Sequence, residues 1–158
     1  MIKKGDVIMC KRANDFRSVV LEDVLNVVEK KAPVKIVNSS TKKVNKIAVN
    51  MTADLVAEEI VKELIKGKIK DVERFAPMNK KEIKPLYLFL DEEVLLYARL
   101  RSKFCIPKGM CQHYAKLRKH KFKKERLKVN KIREFIEGLK KKHPEVKHAI
   151  VNSYLKII

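Results

Sequence analysis

Short apolar runs alternate with longer segments of helical periodicity in the first half of the chain. Residues 6–11, 34–38 and 47–50 are short runs rich in Val and Ile, a pattern typical of buried strands. Apolar residues recur at helical spacing over 16–31, between the first two runs, and over 52–65, after the third. Strands separated by helices predict a parallel sheet built from right-handed crossovers.

The second half of the sequence is predominantly helical in its periodicity. We predict four helices, at residues 91–101, 111–119, 127–142 and 145–157. Before them, a linker over 76–84 leads into a last strand over 84–89. The interval from 38 to 47 is too short for a full crossover helix, so we expect an irregular or truncated sheet. The prediction is an α/β core at 1–89 and a helical basic region at 90–158, packed on that core within one domain.

Positive charge is concentrated in the second half. The chain has 38 Lys and Arg against 19 Asp and Glu, a net charge of +19. Between Lys103 and Lys142 there are fifteen Lys and Arg and three acids, which leaves +12 in forty residues. Such density causes self-repulsion in the folded state, so a phosphate-rich polyanion is the simplest partner to expect. The predicted phosphate contacts are Lys116, Arg118, Lys119, Lys121, Lys123, Lys124, Arg126 and Lys128, extended by Lys140, Lys141 and Lys142.

The rest of the composition narrows the kind of nucleic acid and the compartment. Six Phe, four Tyr and no Trp argue against stacking platforms for single strands, and favour a structured RNA recognised by charge and shape. Three cysteines, an odd number with no signal peptide before them, predict a reducing cytoplasm and no disulfide framework. No apolar run approaches the roughly eighteen residues of a membrane-spanning helix, so we expect no membrane partner.

The segment between the first predicted strand and the first predicted helix lacks glycine. Residues 12–18 read RANDFRS, and the four glycines of the chain lie elsewhere. In open parallel sheets ligands bind at the carboxyl ends of the strands, and a phosphate there needs a close backbone approach that glycine permits. Side chains such as Arg12, Asn14 and Asp15 obstruct that approach. We therefore predict that nucleotide binding in the usual manner is absent.

Four stretches resemble a known family. Residues 83–98 read IKPLYLFLDEEVLLYA, residues 133–153 read REFIEGLKKKHPEVKHAIVNS, and Cys111 lies between them in CQHYA. Residues 47–75 begin IAVNMTADLVAEE and end LIKGKIKDVERF. In order and spacing these stretches resemble the PP-loop tRNA-thiolating family, which includes enzymes of the TtcA and TtuA type and the cytoplasmic tRNA 2-thiolation proteins. The resemblance implies a PP-loop core of the adenine nucleotide alpha hydrolase type, and tRNA as the polyanion.

The chain also departs from this family. Its members adenylate uridine in tRNA with ATP held by an SGGxDS loop, which is absent here. Of the paired acids in the family's LDDE segment only Asp54 is present. Many members bind a 4Fe–4S cluster through a CxxC pair and a later cysteine; Cys111 matches the later one, but no CxxC exists. Eukaryotic thiolation pairs an active PP-loop subunit with a degenerate homologue, and this chain resembles a short version of that degenerate partner.

Several other side chains have two interpretations. Cys10, Cys105 and Cys111 either hold an iron–sulfur cluster with three thiolates or are ordinary thiols that pack as small hydrophobes, and we expect the second. The four histidines have no metal-ligand spacing and are expected at the surface or at helix ends. Asp15 and Asp54 are expected to cap helices rather than to act as catalytic carboxylates.

The sequence therefore predicts a cytoplasmic, non-catalytic tRNA-binding protein without a cofactor. The resemblance makes it a partner subunit of an active PP-loop thiolation enzyme, and the apolar N-terminal helices could also serve a homodimer. Three alternatives stay open. The first is an active tRNA sulfurtransferase with an atypical iron–sulfur site. The second is a general RNA-binding module that has kept only the fold, and the third is a structural oligomer.

Overall fold

A five-stranded, mostly parallel sheet with helices around it forms the fold. The computed structural model describes residues 2–11, 13, 15–37, 43–67, 74–104 and 131–157. The strands are β1 Val7–Cys10, β2 Lys35–Val37, β3 Lys46–Ala48, β4 Met78–Asn79 and β5 Glu82–Ile83. The helices of the described residues are α1 Phe16–Lys31, α2 Ala53–Ile65, α3 Asp91–Phe104, α4 Lys131–Lys140 and α5 Val146–Leu155.

The strand order of the sheet is β2-β1-β3-β5-β4. Strands β2, β1, β3 and β5 are parallel to one another, and only β4 is antiparallel to its neighbour. In the register of the sheet Ile8 pairs with Ile36 on one side and with Lys46 on the other. The predicted α/β fold with a parallel, truncated sheet is confirmed.

Helix α1 shows how the local sequence fixes an element. Asp15 is its N-cap, and its carboxylate accepts a hydrogen bond from the backbone N–H of Ser18 at 2.8 Å. The helix ends at Lys31, and Pro33, which follows closely, cannot continue it. Its buried face includes Leu21 and Leu25. Burial of each of these side chains stabilises the fold by roughly 1.5–3 kcal/mol of transfer free energy.

Two apolar clusters form the core. The first joins the sheet to α1 and α3 through residues such as Ile8, Leu21 and Ala98. The second joins α2 and α5 and includes Val56 and Val151. Helices α3 and α5 therefore pack on the α/β core. The predicted boundary between residues 89 and 90 stays a prediction.

The predicted strand over 84–89 is wrong. The last strand is β5, and it forms a hairpin with β4 inside the predicted linker 76–84. Lys80, at the turn, has a φ of 49°, in the left-handed region. Residues 84–89 form successive turns instead, because the N–H of Tyr87 donates to the carbonyl of Lys84 and that of Phe89 to Leu86.

The helix predictions for the second half differ at their ends. Helix α3 continues to Phe104, beyond the predicted 101, and α5 lies inside the predicted 145–157. Helix α4 covers 131–140 of the predicted 127–142, and residues 127–130 lie outside the described residues. The predicted helix at 111–119 lies outside the described residues. Within the described ranges no helix is long and apolar enough to cross a membrane.

Candidate functional site

The carboxyl ends of β1 and β3 form the candidate site. Strand β1 lies between β2 and β3. The connection after β1 leads to β2 on one side of it, and the strands after β3 lie on the other side, so the strand order reverses between β1 and β3. In open α/β sheets the crevice at such a switch point is the usual place for a ligand. Asp15 and Ser18 follow β1, and Asn50 and Thr52 follow β3, which brings all four to this crevice.

Side chains fill the start of α1 with hydrogen bonds among themselves. The Asn50 amide donates to both carboxylate oxygens of Asp15, at 3.0 and 3.1 Å, and to the hydroxyl of Ser18 at 2.9 Å. The Ser18 hydroxyl also accepts from the backbone N–H of Ala13 at 2.9 Å. A carboxylate therefore occupies the end of the helix dipole at which an anionic ligand would otherwise bind.

Arg17 and Asp91 form the centre of the site. The Arg17 guanidinium is 5% exposed and donates through Nε to Asp91 at 2.7 Å, and through Nη2 to the second oxygen of the same carboxylate. Its Nη1 donates to Asp15 at 3.4 Å. The Thr52 hydroxyl donates to Asp91 at 2.7 Å. This forked geometry satisfies both oxygens of Asp91 and engages the Nε and Nη2 donors of the guanidinium.

Two further cations, Lys147 and Arg133, attach the last helices to the same place. Lys147 on α5 donates to Asp54 and, at 2.5 Å, to Glu137 on α4. The second oxygen of Asp54 accepts the backbone N–H of Asp91 at 2.7 Å. Arg133 on α4 donates to Glu58 and lies 3.5 Å from Asp91. Asp54 thus connects α2, the start of α3 and α5.

These contacts shift the pKa values of the charged groups. Burial alone would raise the pKa of Asp91, but the hydrogen bonds from Arg17 and Thr52 outweigh it, so the pKa of Asp91 is lowered. Burial would lower the pKa of Lys147, but its bonds to Asp54 and Glu137 outweigh burial and raise that pKa. The pKa of Glu58 is raised, mainly by burial and despite Arg133. Asp91 and Lys147 are therefore held in their charged forms.

The arrangement is poorly suited to a nucleotide phosphate. In the described part of the site five carboxylates meet three cations, namely Asp15, Asp54, Glu58, Asp91 and Glu137 with Arg17, Arg133 and Lys147. A phosphate would add negative charge to an existing excess, and each of these cations already binds a carboxylate. The network instead fixes the positions of the five described helices, which is a structural role.

The structure describes only the end of the predicted RNA-binding surface. The Lys140 ammonium donates to Glu92 at 3.0 and 3.1 Å, whereas Lys141 and Lys142 are exposed just beyond α4. The remaining predicted contacts lie outside the described residues: Lys116, Arg118, Lys119, Lys121, Lys123, Lys124, Arg126 and Lys128. Contact of this surface with RNA stays a prediction.

The candidate metal ligands are only partly described. Cys10 is buried in the first apolar cluster, while Cys105 and Cys111 lie outside the described residues. Among the described residues no three His, Cys, Asp or Glu side chains are grouped so as to hold a metal ion. His148 contacts the Leu88 carbonyl at 3.0 Å, and His143 is exposed at the end of α4. The described residues thus do not form a cluster site.

Comparison with known proteins identifies the fold. No family model and no curated protein sequence matches the chain. Among solved structures, the U34-tRNA thiolase NcsA from Methanococcus maripaludis with its 4Fe–4S cluster is similar, with a TM-score of 0.66 and 17% identity. The alignment covers 98% of this chain and 73% of the thiolase. The chain has the fold of this structure in a shorter form. At this identity the likeness concerns the fold alone.

Most of the site residues lie in stretches that resemble the PP-loop family, whereas Asp15 and Arg17 precede them. Asp54 lies in 47–75, Asp91 in 83–98, and Arg133 and Lys147 in 133–153. In space these side chains form one network, so the stretches meet at the crevice. Our sequence analysis singled out Asp15 and Asp54 but assigned no role to Arg17, Asp91, Arg133 or Lys147. The signal that could have found Asp91, Arg133 and Lys147 is their position in the resembling stretches 83–98 and 133–153. Arg17 lies outside these stretches and carried no such signal.

Proposed function

We propose that this chain is a tRNA-binding protein of tRNA uridine 2-thiolation that acts as a non-catalytic partner subunit. The observation that carries the proposal is the likeness of its fold to a U34-tRNA thiolase. The strongly basic stretch 103–142 supports tRNA as the partner, since fifteen cations against three acids suit a polyanion.

The site network supports the non-catalytic half of the proposal. A PP-loop enzyme activates its substrate with ATP, which requires a phosphate-binding loop between β1 and α1. Here Asp15 occupies the N-terminus of α1, and Arg17 is bound to Asp91 and Asp15. The catalytic step would then belong to the active PP-loop subunit, while this chain contributes its tRNA-binding surface.

A salt titration of tRNA binding tests the proposal. Because each neutralised phosphate contributes about 0.7–0.9 to the slope of log K against log salt, the wild-type slope should be steep. Reversal of Lys121, Lys123 and Lys124 to Glu should reduce the slope by about 2–3. The matched control reverses Lys30, Lys31 and Lys35, which are exposed on α1 and β2, and so makes the same charge change. Equal slopes for the two triple variants would overturn the assignment.

Thiolation itself needs a separate test. Deletion of the gene in the source organism should lower the 2-thiouridine content of tRNA, and the affinity-purified protein should contain both tRNA and a PP-loop enzyme. Retention of tRNA without that enzyme, with normal 2-thiouridine, would favour the general RNA-binding alternative.

A second candidate function is an active sulfurtransferase with an iron–sulfur cluster. It is favoured by the cluster in the structurally similar thiolase. Anaerobically purified protein would then contain iron and sulfide, both of which Cys111→Ser would remove together with tRNA thiolation. Cys10→Ser is the matched comparison, because Cys10 is buried in the apolar core. Iron-free anaerobic protein that still supports thiolation contradicts this candidate.

A further inference from the structure

An apolar groove runs between α2 and α5, away from the charged network. Its volume is about 340 Å³, within the range of sites that bury a ligand's apolar groups. Large apolar side chains dominate its lining, which includes Ile60, Leu64, Phe75, Ile150, Tyr154 and Ile157. The polar members of the lining are few, namely Glu63, Ser153 and the hydroxyl of Tyr154, and the Glu63 carboxylate binds basic side chains at the rim.

Exposed apolar residues continue the groove to the protein surface. Leu64 is 52% exposed and Ile157 is 74% exposed, and both line the groove. Ile65, the neighbour of Leu64, is 70% exposed. Among the described residues none covers these side chains. Two helices that flank an apolar groove are the geometry with which proteins bind an amphipathic helix through a few anchoring side chains.

The described residues at the rim of the groove carry a net positive charge. Lys66 and Arg74 each lie 3.2 Å from the Glu63 carboxylate, which leaves two cations to one acid beside Leu64. Both cations are partly exposed, at 48% and 43% of their side chains. An approaching partner with acidic side chains could engage them with little rearrangement, and one with basic side chains would be repelled.

The same charge argument selects among the possible occupants. A second copy would bring another net charge of +19 to a basic rim. The chain's own residues 105–130, which lie outside the described residues, contain nine Lys and Arg and a single acid. Both are electrostatically disfavoured relative to an acidic partner.

We propose that the α2–α5 groove binds an amphipathic segment of an acidic partner protein. The apolar side chains of that segment fill the groove beside Leu64 and Ile157, and its acidic flank pairs with Lys66 and Arg74. The basic stretch 103–142 is not part of this contact, so tRNA and the acidic partner would bind at the same time.

Photocrosslinking in the source organism tests this assignment. A photoreactive amino acid replaces Leu64 in the full-length chain, and the crosslinked peptide is identified by mass spectrometry. We expect a peptide of another protein with apolar residues at helical spacing and a net negative charge. The same replacement at Leu96, an exposed leucine on α3, should not capture that peptide.

The synthetic form of the captured peptide then tests the contacts. Leu64→Asp should weaken its binding about tenfold or more, and Arg74→Glu about threefold to tenfold, while Leu96→Asp leaves it unchanged. All three positions are exposed, so the variants should fold. Crosslinks only to this chain or to a second copy, a captured peptide without acidic residues, or no crosslink at all would each overturn the proposal.

Discussion

The switch-point end of the sheet and the stretch 103–142 use charge in opposite ways. At the sheet end Arg17, Arg133 and Lys147 each bind carboxylates, and the acids outnumber the cations. In the stretch 103–142 the cations outnumber the acids five to one, so the stretch has too few acids to neutralise its cations. The first region satisfies its charges within the fold, as do Arg133 and Lys140 of the second. We propose that a polyanion neutralises the remaining cations of the second region.

This difference shows which charges can carry a function. A buried ion pair stabilises a particular arrangement of helices, and its members are unavailable to a ligand. Unpaired surface cations contribute little to folding but attract a polyanion over a distance. Where the two regions adjoin, Lys140 binds Glu92 while Lys141 and Lys142 remain exposed. Lysines paired within the fold thus give way to exposed lysines at the end of α4.

Removal of one buried cation should have the largest effect. Lys147→Met leaves the Asp54 carboxylate, 7% exposed, without its cation, so we expect a loss of about 3–5 kcal/mol in the free energy of unfolding. Chemical denaturation measures this loss. Lys141→Met, at an exposed lysine, should change stability by less than about 0.5 kcal/mol.

A second variant separates the ion pair from the packing of Lys147. Replacing both partners, with Asp54→Asn and Lys147→Met, removes the uncompensated charge and should recover part of the loss. If Lys147→Met is no more destabilising than Lys141→Met, the network does not hold α5 in place and the contrast between the two regions fails.

A smaller, pH-dependent effect is expected at Asp91. Its lowered pKa means that the ionised carboxylate stabilises the fold above its ordinary pKa of 3.8, and that this contribution is lost as the pH falls through the lowered value. Asp91→Asn should therefore cost about 1.5–3 kcal/mol near neutral pH, and the difference from wild type should shrink below pH 3.8.

Urea denaturation from neutral pH to below pH 3.8 measures the difference in stability between Asp91→Asn and wild type. Glu58 has a raised pKa, so its protonation as the pH falls relieves a burial cost and favours the folded state. This change opposes the loss at Asp91 and occurs in both the wild type and the variant. The control is Glu92→Gln, at a neighbouring acid that is 64% exposed. A constant difference between Asp91→Asn and wild type at every pH would contradict the role assigned to the Asp91 carboxylate.

Local signals made much of the fold predictable. Helix α1 begins and ends where the sequence indicates, because Asp15 caps it and Pro33 follows it. The β4–β5 hairpin was not predictable, because its strands have two residues each, too few for a periodic pattern. Its turn places Lys80 at a positive φ where glycine or asparagine would be the recognisable signal.

The candidate site was less predictable than the fold. The absence of glycine between β1 and α1 correctly directed attention to Asp15. The partners of the network are far apart in sequence, 74 residues for Arg17 and Asp91 and 93 for Lys147 and Asp54. With 38 basic and 19 acidic residues, very many such pairs are possible, and only the packing of the helices selects among them.

The smallest expected effect is that of ATP on stability. A ligand that binds only the folded state at a hundred times its Kd would stabilise it by about 2.7 kcal/mol and raise the melting temperature. Because Asp15 caps α1 and the cations of the crevice bind carboxylates, we expect Mg-ATP to leave the melting temperature unchanged, while tRNA raises it in the same assay. An increase with ATP that Asp15→Arg enhances would mean that the sheet end retains a nucleotide site. Both regions would then bind anions, and an adenylating enzyme would replace the non-catalytic subunit as the best account of this chain.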